Sequence, residues 1–159
     1  MSMNTVPERL AALRAAMDAN GDGRYLITVG DPHSSEYLPA RNTSLTYFSG
    51  FHGENSNFVV TKDKSAIWAD GRYFVQAEKE IAGTEIELER MGEPGVPTVE
   101  QYCADALPEG GVLGLCGLTA SCQLVRSVQK ALDAKHGTIK HLNLEDELWP
   151  AGRPALPAP

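Results

Sequence analysis

The sequence predicts an α/β fold with a mixed β-sheet of about six strands and flanking helices. Three observations support this prediction. The 159 residues fit one domain, whose core is large enough to need no metal or disulfide to fold. Segments with helix and strand patterns alternate in the order αβαββαβαβαβ, which favours helices packed on the faces of a sheet. Two apolar strands separated by only three residues predict a hairpin, so the sheet is expected to be mixed.

The first predicted helix is marked by a capping box at its start. Thr5 with Glu8 forms the box, and Leu10, Leu13 and Met17 follow it at helical spacing. The apolar runs after this helix are short, which favours strands. They predict a strand over residues 24–29, a short helix around residues 44–48 and the two-stranded hairpin over residues 57–69.

The second half of the chain continues the alternation. Asp70 is placed to cap a helix, GRYFVQAEKEIA, whose Phe74, Ala77 and Ile81 share one face. The remaining elements are predicted as a strand over residues 84–91, a helix from a Thr98–Gln101 capping box to near Leu107, a strand over residues 111–117, a helix over residues 120–137 and a strand over residues 138–144. Gly137 is expected to end the last helix.

The last eleven residues differ in composition from the rest of the chain. Residues 149–159, WPAGRPALPAP, include four prolines, which favours an extended linker over a helix or strand. The sequence therefore predicts one domain over residues 1–148 and a Pro-rich linker over residues 149–159. The linker would lead to a following domain that this chain does not contain.

Charge and composition exclude several classes of protein. The net charge is −7, from 14 basic and 21 acidic residues, and no stripe of Lys and Arg is present, which argues against a nucleic-acid partner. No apolar run is long enough to span a membrane, and the first residues lack the apolar stretch of a signal peptide. The three cysteines form no CxxC motif and indicate free thiols in a reducing compartment, so a cytoplasmic location is expected.

The loop over residues 31–40, DPHSSEYLPA, concentrates side chains that could carry chemistry. It holds Asp31, His33, Glu36 and Tyr37 together with two serines. Nucleophilic catalysis needs a base that a third group orients, and neighbours in sequence rarely provide that geometry. A GxSxG motif is absent from the sequence. The alternative is a structural loop whose Asp and Ser side chains bond to backbone amides.

A calcium site is a weaker hypothesis for residues 18–23, DANGDG. These residues match the first half of a calcium-binding loop, but the twelfth position, which should be a bidentate Glu, is Val29. The alternative is a helix C-terminus at which Gly21 and Gly23 supply the turn. Zinc is not indicated either, because the histidines and cysteines lack the spacing of zinc ligands.

Arg72 is expected in the first turn of its helix, where the helix dipole disfavours a cation. An Arg at such a position is usually paired with a carboxylate or directed at an anion. Asp31, Glu36 and Asp70 are candidate partners for a structural salt bridge. The carboxylate of a substrate is the other candidate partner, and the residues themselves leave both interpretations open.

Four segments together resemble a known family. DPHSSEYL, the GF of SGFHG, WADGRYFVQAEKE and the ending NLEDELWPAGRPALP are similar to motifs of the amino-terminal domain of Xaa-Pro aminopeptidase (aminopeptidase P), in its long three-domain form. This family belongs to the creatinase–prolidase superfamily. The resemblance covers nearly the whole chain and implies a mixed β-sheet flanked by helices.

The resemblance also implies an activity for the longer parent protein. Family members remove an N-terminal residue that precedes proline, using a carboxy-terminal pita-bread domain. Two Asp, one His and two Glu of that domain hold two divalent metal ions, commonly manganese, and a bridging hydroxide attacks the peptide carbonyl. None of that domain is in this chain, so the resemblance implies no catalytic residue, metal ligand or cofactor here.

By the same resemblance, this domain would help to bound the mouth of the catalytic site and take part in oligomer contacts. Asp31, His33, Glu36, Tyr37 and Arg72 match family motif positions and are the candidates for the substrate-facing surface. The implied partners are the chain's own catalytic domain, an Xaa-Pro peptide and further copies of the protein, with no nucleic acid or membrane. Two alternative functions stay open: an interaction module of a pseudo-enzyme relative, and a stand-alone hydrolase that uses the 31–40 loop.

Overall fold

The chain forms its helices and strands in the predicted order. The computed structural model describes residues 5–21, 23–28, 44–52, 56–105, 110–115, 122–134 and 136–141. The elements in these ranges are α1 (Val6–Ala19), β1 (Arg24–Thr28), α2 (Ser44–Ser49), β2 (Asn57–Thr61), β3 (Ser65–Ala69), a 3₁₀ turn (Gly71–Tyr73), α3 (Phe74–Glu80), β4 (Glu87–Arg90), α4 (Val99–Asp105), β5 (Val112–Leu115), α5 (Cys122–Asp133) and β6 (Thr138–His141). No helix in the described part of the chain is long and apolar enough to cross a membrane.

One mixed sheet of six strands organises the molecule, as the sequence predicts. The strand order is β4-β3-β2-β1-β5-β6. Strand β2 is antiparallel to both of its neighbours, β1 and β3, whereas the pairs β3–β4, β1–β5 and β5–β6 are parallel. Five strands therefore run in one direction. Their carboxyl ends lie at the same edge of the sheet as the amino end of β2, and we call this edge the carboxyl edge.

The sheet is buried on both faces, which is why its central strands are continuous apolar runs. All five residues of β1 are buried. Tyr25 and Ile27 face the core beneath α1, α2 and α3, together with Phe58 of β2. Leu26 faces the second core, beneath α4 and α5, together with Trp68 of β3. Successive residues of a strand point to opposite faces, so one strand contributes to both cores.

The two predicted capping boxes lie at helix starts. Thr5 caps α1, and its Oγ1 accepts a hydrogen bond of 3.4 Å from the backbone N–H of Glu8. Thr98 and Gln101 form the reciprocal pair before α4. The Thr98 N–H donates to Gln101 Oε1 at 3.1 Å, and the Gln101 N–H donates to Thr98 Oγ1 at 3.2 Å. Such local bonds satisfy amides that the helix leaves without partners.

The predicted helix C-terminus within residues 18–23 is confirmed, with Gly21 and not Gly23 in the left-handed conformation. Helix α1 ends at Ala19, Asn20 caps it, and Gly21 has a φ of +75°. Only glycine adopts that conformation without steric cost, which explains the glycine in this turn. Val29, the residue that occupies the twelfth position of the calcium motif, lies outside the described residues.

Three predicted boundaries differ from the structure. The helix predicted to start after Asp70 begins with the 3₁₀ turn, so Arg72 lies in that turn and not in the first turn of α3. The strand predicted from residue 84 starts at Glu87, because Thr84 Oγ1 bonds to the carbonyl of Ile81 and the amide of Ile86 and forms a turn. The predicted helix end near Leu107 lies outside the described residues.

The third difference concerns Gly137. Helix α5 ends at Asp133, and His136, with a φ of +54°, is the residue in the left-handed conformation. The structure gives another reason for glycine at position 137, since an added Cβ would lie 3.2 Å from Leu132 Cβ. Close packing of α5 on the start of β6 therefore favours glycine here, and the predicted role as the residue that ends the helix is wrong.

Cys103 of α4 is fully buried in the second core and forms no disulfide. Burial raises the pKa of its thiol to about 12, and nearby Arg24 opposes this shift only in part. An unfolded thiol ionises near pH 8.5. Above that pH the unfolded chain releases a proton that the folded chain retains, so the free energy of unfolding should fall as the pH rises.

We expect the folded Cys103 thiol to resist alkylation, because the thiolate is the reactive form. The measurement uses a chain with Cys116→Ser and Cys122→Ser, treated with iodoacetamide at about pH 8 and analysed by mass spectrometry. The native protein should stay largely unmodified over the time in which the same chain in urea is labelled to completion. Equal labelling rates in the two samples would show that this thiol is accessible and ionised.

Candidate functional site

The structure describes one of the five predicted site residues. Arg72 lies just beyond the end of β3, at the carboxyl edge. Asp31, His33, Glu36 and Tyr37 lie outside the described residues, as does the whole loop over residues 31–40. Their assignment stays a prediction. Strand β1, which precedes them in the sequence, also ends at the carboxyl edge.

Arg72 forms a salt bridge with Asp70. The guanidinium Nη2 lies 2.9 Å from Asp70 Oδ2, and Nε lies 3.3 Å from Oδ1. The same carboxylate accepts a hydrogen bond of 2.9 Å from the backbone N–H of Arg72. Asp70 therefore caps the 3₁₀ turn and orients the Arg72 side chain. The structural salt bridge expected from the sequence is present, with Asp70 as a partner.

The Arg72 side chain is nevertheless displayed to solvent. It is 70% exposed, whereas the Asp70 side chain is 19% exposed. The guanidinium carbon also lies 5.4 Å from the centre of the Tyr73 ring. That ring meets the buried ring of Phe51 edge-on, with a distance of 6.1 Å between centres. A partly buried carboxylate and a ring packed on the core thus hold a charge that is largely exposed to solvent.

A second polar cluster, which the sequence did not predict, lies on the same face of the sheet. His52, from the SGFHG segment, places its Nδ1 against the carboxylate of Glu80 at the end of α3. The His52 backbone N–H donates to Glu80 Oε1 at 3.2 Å, and Gln76 Nε2 donates to the same oxygen at 2.6 Å. Burial by itself would raise the pKa of Glu80, but the hydrogen bonds from Gln76 and His52 outweigh it and lower the pKa.

The spacing of Gln76 and Glu80, four residues apart on one helix, is the only local sequence signal for this cluster. His52 is 28 residues away and meets them through the fold. The neighbouring contact of Phe51 with Tyr73 connects the His52 segment to the Arg72 turn. The GFH part of the first motif, residues 50–52, therefore packs against the DGRYF motif.

A groove of about 430 Å³ lies at the carboxyl edge on the opposite face of the sheet. Trp68 closes its floor, and its indole N–H donates to the Pro97 carbonyl at 2.9 Å. Val96 and Pro97 form part of its wall, and Glu93 and Glu100 add two carboxylates. We call this pocket the Trp68 groove.

A buried arginine lies at the other end of the sheet. Arg24 begins β1 and is 5% exposed, and its guanidinium lies 5.5 Å from the centre of the Tyr102 ring. Its Nε and Nη1 have no hydrogen-bond partner among the described residues. Burial lowers its pKa, although neighbouring Cys103 and Tyr102 oppose that shift. Because it lies at the amino edge, Arg24 belongs to the core beneath α4 and not to the site around Arg72.

Among the described residues, no group of three or more His, Cys, Asp or Glu side chains is arranged to hold a metal ion. The described polar groups are an oriented cation at the carboxyl edge, a carboxylate–imidazole pair on the same face of the sheet and, on the opposite face, a groove with two carboxylates.

Comparison with known proteins identifies the fold. Residues 9–146 match the family described as Creatinase/Prolidase N-terminal domain. The chain belongs to this family. The resemblance predicted from the DPHSSEYL, GF and WADGRYF segments is thereby confirmed.

Relatives with similar sequences are aminopeptidases of this family. Aminopeptidase P2 of Arabidopsis thaliana is 38% identical over 158 residues, which cover 96% of this chain and 22% of the plant protein. A probable Xaa-Pro aminopeptidase P of Pyrenophora teres f. teres is 36% identical over 152 residues, which cover 94% of this chain and 23% of that protein. The chain thus spans less than a quarter of the length of either relative.

Solved structures agree with this assignment. The X-prolyl aminopeptidase of Caenorhabditis elegans, described as a cytosolic enzyme with a di-nuclear active site, superposes with a TM-score of 0.88 at 30% identity. The superposition covers 98% of this creatinase/prolidase-type chain and 27% of the nematode chain. An N-terminal domain of a putative metallopeptidase from Corynebacterium diphtheriae superposes with a TM-score of 0.63 at 21% identity, which shows a shared fold.

Proposed function

We propose that this chain is the non-catalytic N-terminal domain of a cytoplasmic, metal-dependent Xaa-Pro aminopeptidase. In that enzyme it would bound the mouth of the catalytic site and contribute to contacts between subunits. The observation that carries the proposal is Arg72, an exposed cation that Asp70 orients at the carboxyl edge. The nematode enzyme, at 30% identity, has a di-nuclear site and supports two divalent metal ions, which we propose to be manganese, in the catalytic domain.

The geometry of Arg72 suits the recognition of a peptide carboxylate or carbonyl. A guanidinium has five N–H donors in a planar fork, and the contacts with Asp70 use its Nε and Nη2 edge. Charge-assisted hydrogen bonds from such a fork are stronger than neutral ones and also fix orientation. Asp70 reduces the rotational freedom of the side chain before a ligand arrives, so less entropy is lost on binding.

In this proposal the domain positions the substrate and leaves bond cleavage to the catalytic domain. A peptide held at one end by Arg72 would keep its N-terminal peptide bond in register with the metal ions, and such positioning lowers the barrier for the reaction. Asp31, His33, Glu36 and Tyr37 are proposed to face the same substrate. Exchange of Arg72 in the longer enzyme tests this function directly.

We expect the 159-residue chain by itself neither to hydrolyse Xaa-Pro peptides nor to bind manganese stoichiometrically. The reason is the lack, among the described residues, of a cluster of carboxylate and His ligands. Isothermal titration calorimetry with MnCl₂ and a chromatographic assay of an Xaa-Pro peptide are the measurements. A stoichiometric manganese site, or turnover that depends on added metal, would contradict a non-catalytic role and favour a stand-alone hydrolase.

A further inference from the structure

The Trp68 groove has no part in the proposed function, and its lining residues indicate which kind of segment it could bind. Its lining combines apolar residues, among them Trp68, Val96 and Pro97, with polar ones, and its charged lining residues are Glu93 and Glu100. Within the described part of the chain neither carboxylate forms an ion pair. Such a groove suits an extended segment that combines apolar residues with a positive charge.

We propose that residues 149–159 of this chain dock in the Trp68 groove. These residues lie outside the described part of the chain, and their sequence is WPAGRPALPAP. Arg153 is their only charged residue, so the charge of the segment complements the two carboxylates of the groove. Pro-rich segments favour an extended conformation before binding, and grooves with aromatic residues recognise them for that reason.

The topology brings the segment within reach of the groove. Strand β6 ends at His141 on the carboxyl edge, which is the edge that carries the groove. Four strand positions separate β6 from β3, where Trp68 lies, or about 19 Å at about 4.8 Å per position. Trp149 follows His141 by eight residues, and an extended chain of that length spans up to about 26–29 Å.

Tethering makes this docking effective even if the contact is weak. A segment joined to its site by a short linker has an effective concentration in the millimolar range. Millimolar intrinsic affinity is then sufficient for substantial occupancy. Docking would also fix the path of the chain as it leaves the domain, across the edge that carries Arg72.

The test measures the backbone order of residues 149–159 and the environment of Trp68 in the 159-residue chain. The chain has two tryptophans, Trp68 and Trp149, so 5-fluorotryptophan labelling gives two ¹⁹F signals, which a Trp149→Phe variant assigns. Backbone ¹⁵N relaxation at Gly152, Arg153 and Leu156 reports whether the segment is ordered. We expect order parameters of about 0.8 or above for these residues, as for rigid backbone.

Reversal of charge should release the segment. In Arg153→Glu the order parameters of the segment should fall below about 0.6, and the Trp68 signal should shift. The double variant Arg153→Glu with Glu93→Arg should restore both values. Arg126→Glu, on the exposed face of α5, is the matched control and should change neither.

Three outcomes would overturn the proposal. The first is a segment with order parameters below about 0.6 in the unmodified chain. The second is a Trp68 signal that Arg153→Glu leaves unchanged. The third is a Trp68 signal that changes on dilution, because the occupant would then be a second copy of the chain. Thermal melting shows whether Arg153→Glu is still folded. If it is not, the Glu93→Arg variant tests the same charge contact from the side of the groove, and it should likewise lower the order parameters of the segment and shift the Trp68 signal.

Discussion

Replacement of Arg72 by alanine should lower kcat/KM for Xaa-Pro peptides by at least about tenfold in the longer enzyme that carries this domain. Loss of a charge-assisted hydrogen bond to a substrate typically costs about 1.5–3 kcal/mol, which corresponds to roughly tenfold to a hundredfold in kcat/KM. The stability of the isolated domain should change little. The Arg72 side chain is 70% exposed, and solvent screening reduces an exposed pair to about 0–1 kcal/mol.

Two measurements on the same variant separate a binding role from a structural one. Steady-state kinetics give kcat/KM, and thermal unfolding of the 159-residue chain gives Tm, which should stay within a few degrees of the unmodified value. Arg90→Ala is the matched control, because Arg90 is an exposed arginine that pairs with Glu78 near the same edge of the sheet. We expect it to leave kcat/KM unchanged.

Lysine at position 72 should recover only part of the lost activity. It keeps the charge but lacks the planar fork that holds two hydrogen bonds at once. If Arg72→Ala instead left the kinetics unchanged and lowered Tm strongly, the residue would be structural. Its salt bridge with Asp70 would then be part of that structural role.

Replacement of Phe58 by alanine should lower the free energy of unfolding by about 3–5 kcal/mol. Phe58 is fully buried in β2, and its strand neighbours are Ile27 of β1 and Ile67 of β3. The substitution removes a large apolar side chain from the first core and leaves a cavity that a central strand cannot close. Urea unfolding followed by circular dichroism measures the change, and Tm should fall by roughly 6–20 °C.

The control for this experiment is Phe58→Leu, which keeps most of the volume and should cost less than about 1.5 kcal/mol. A second control is Phe74→Ala. Phe74 is only half-buried, at the start of α3, and should cost less than Phe58. Similar losses from Phe58→Ala and Phe74→Ala would show that the core is not packed as described.

The element order and the fold class follow from local signals in the sequence. A capping box joins residues three apart, so the Thr98–Gln101 pair was predictable without knowledge of the rest of the chain. The apolar run of β1 is a consequence of burial on both faces, and the short link between β2 and β3 determines that they pair as a hairpin. Local signals placed element boundaries less well. The turn around Thr84 and the termination of α5 before His136 depend on hydrogen bonds and backbone angles that an alternating pattern does not encode.

The site was predictable only in part. The WADGRYF segment identified Arg72, and the position of Asp70 as a cap predicted the carboxylate beside it. The sequence left open whether that carboxylate or a distant one would be the partner. The structure shows the contact with Asp70, two residues away, because the 3₁₀ turn brings the two side chains side by side.

By itself, the sequence determined the elements, their order and the family, because caps, apolar periodicity and short motifs are properties of residues close together in the chain. The tertiary structure decided which residues far apart in the chain come into contact. It placed His52 against Glu80, 28 residues away, and assembled the Trp68 groove from the start of β2, the end of β3, the segment after β4 and the start of α4. Such contacts depend on strand order, which no local pattern specifies. Five carboxyl ends share one edge because β1–β5, β5–β6 and β3–β4 are parallel pairs and β2 is antiparallel to both β1 and β3.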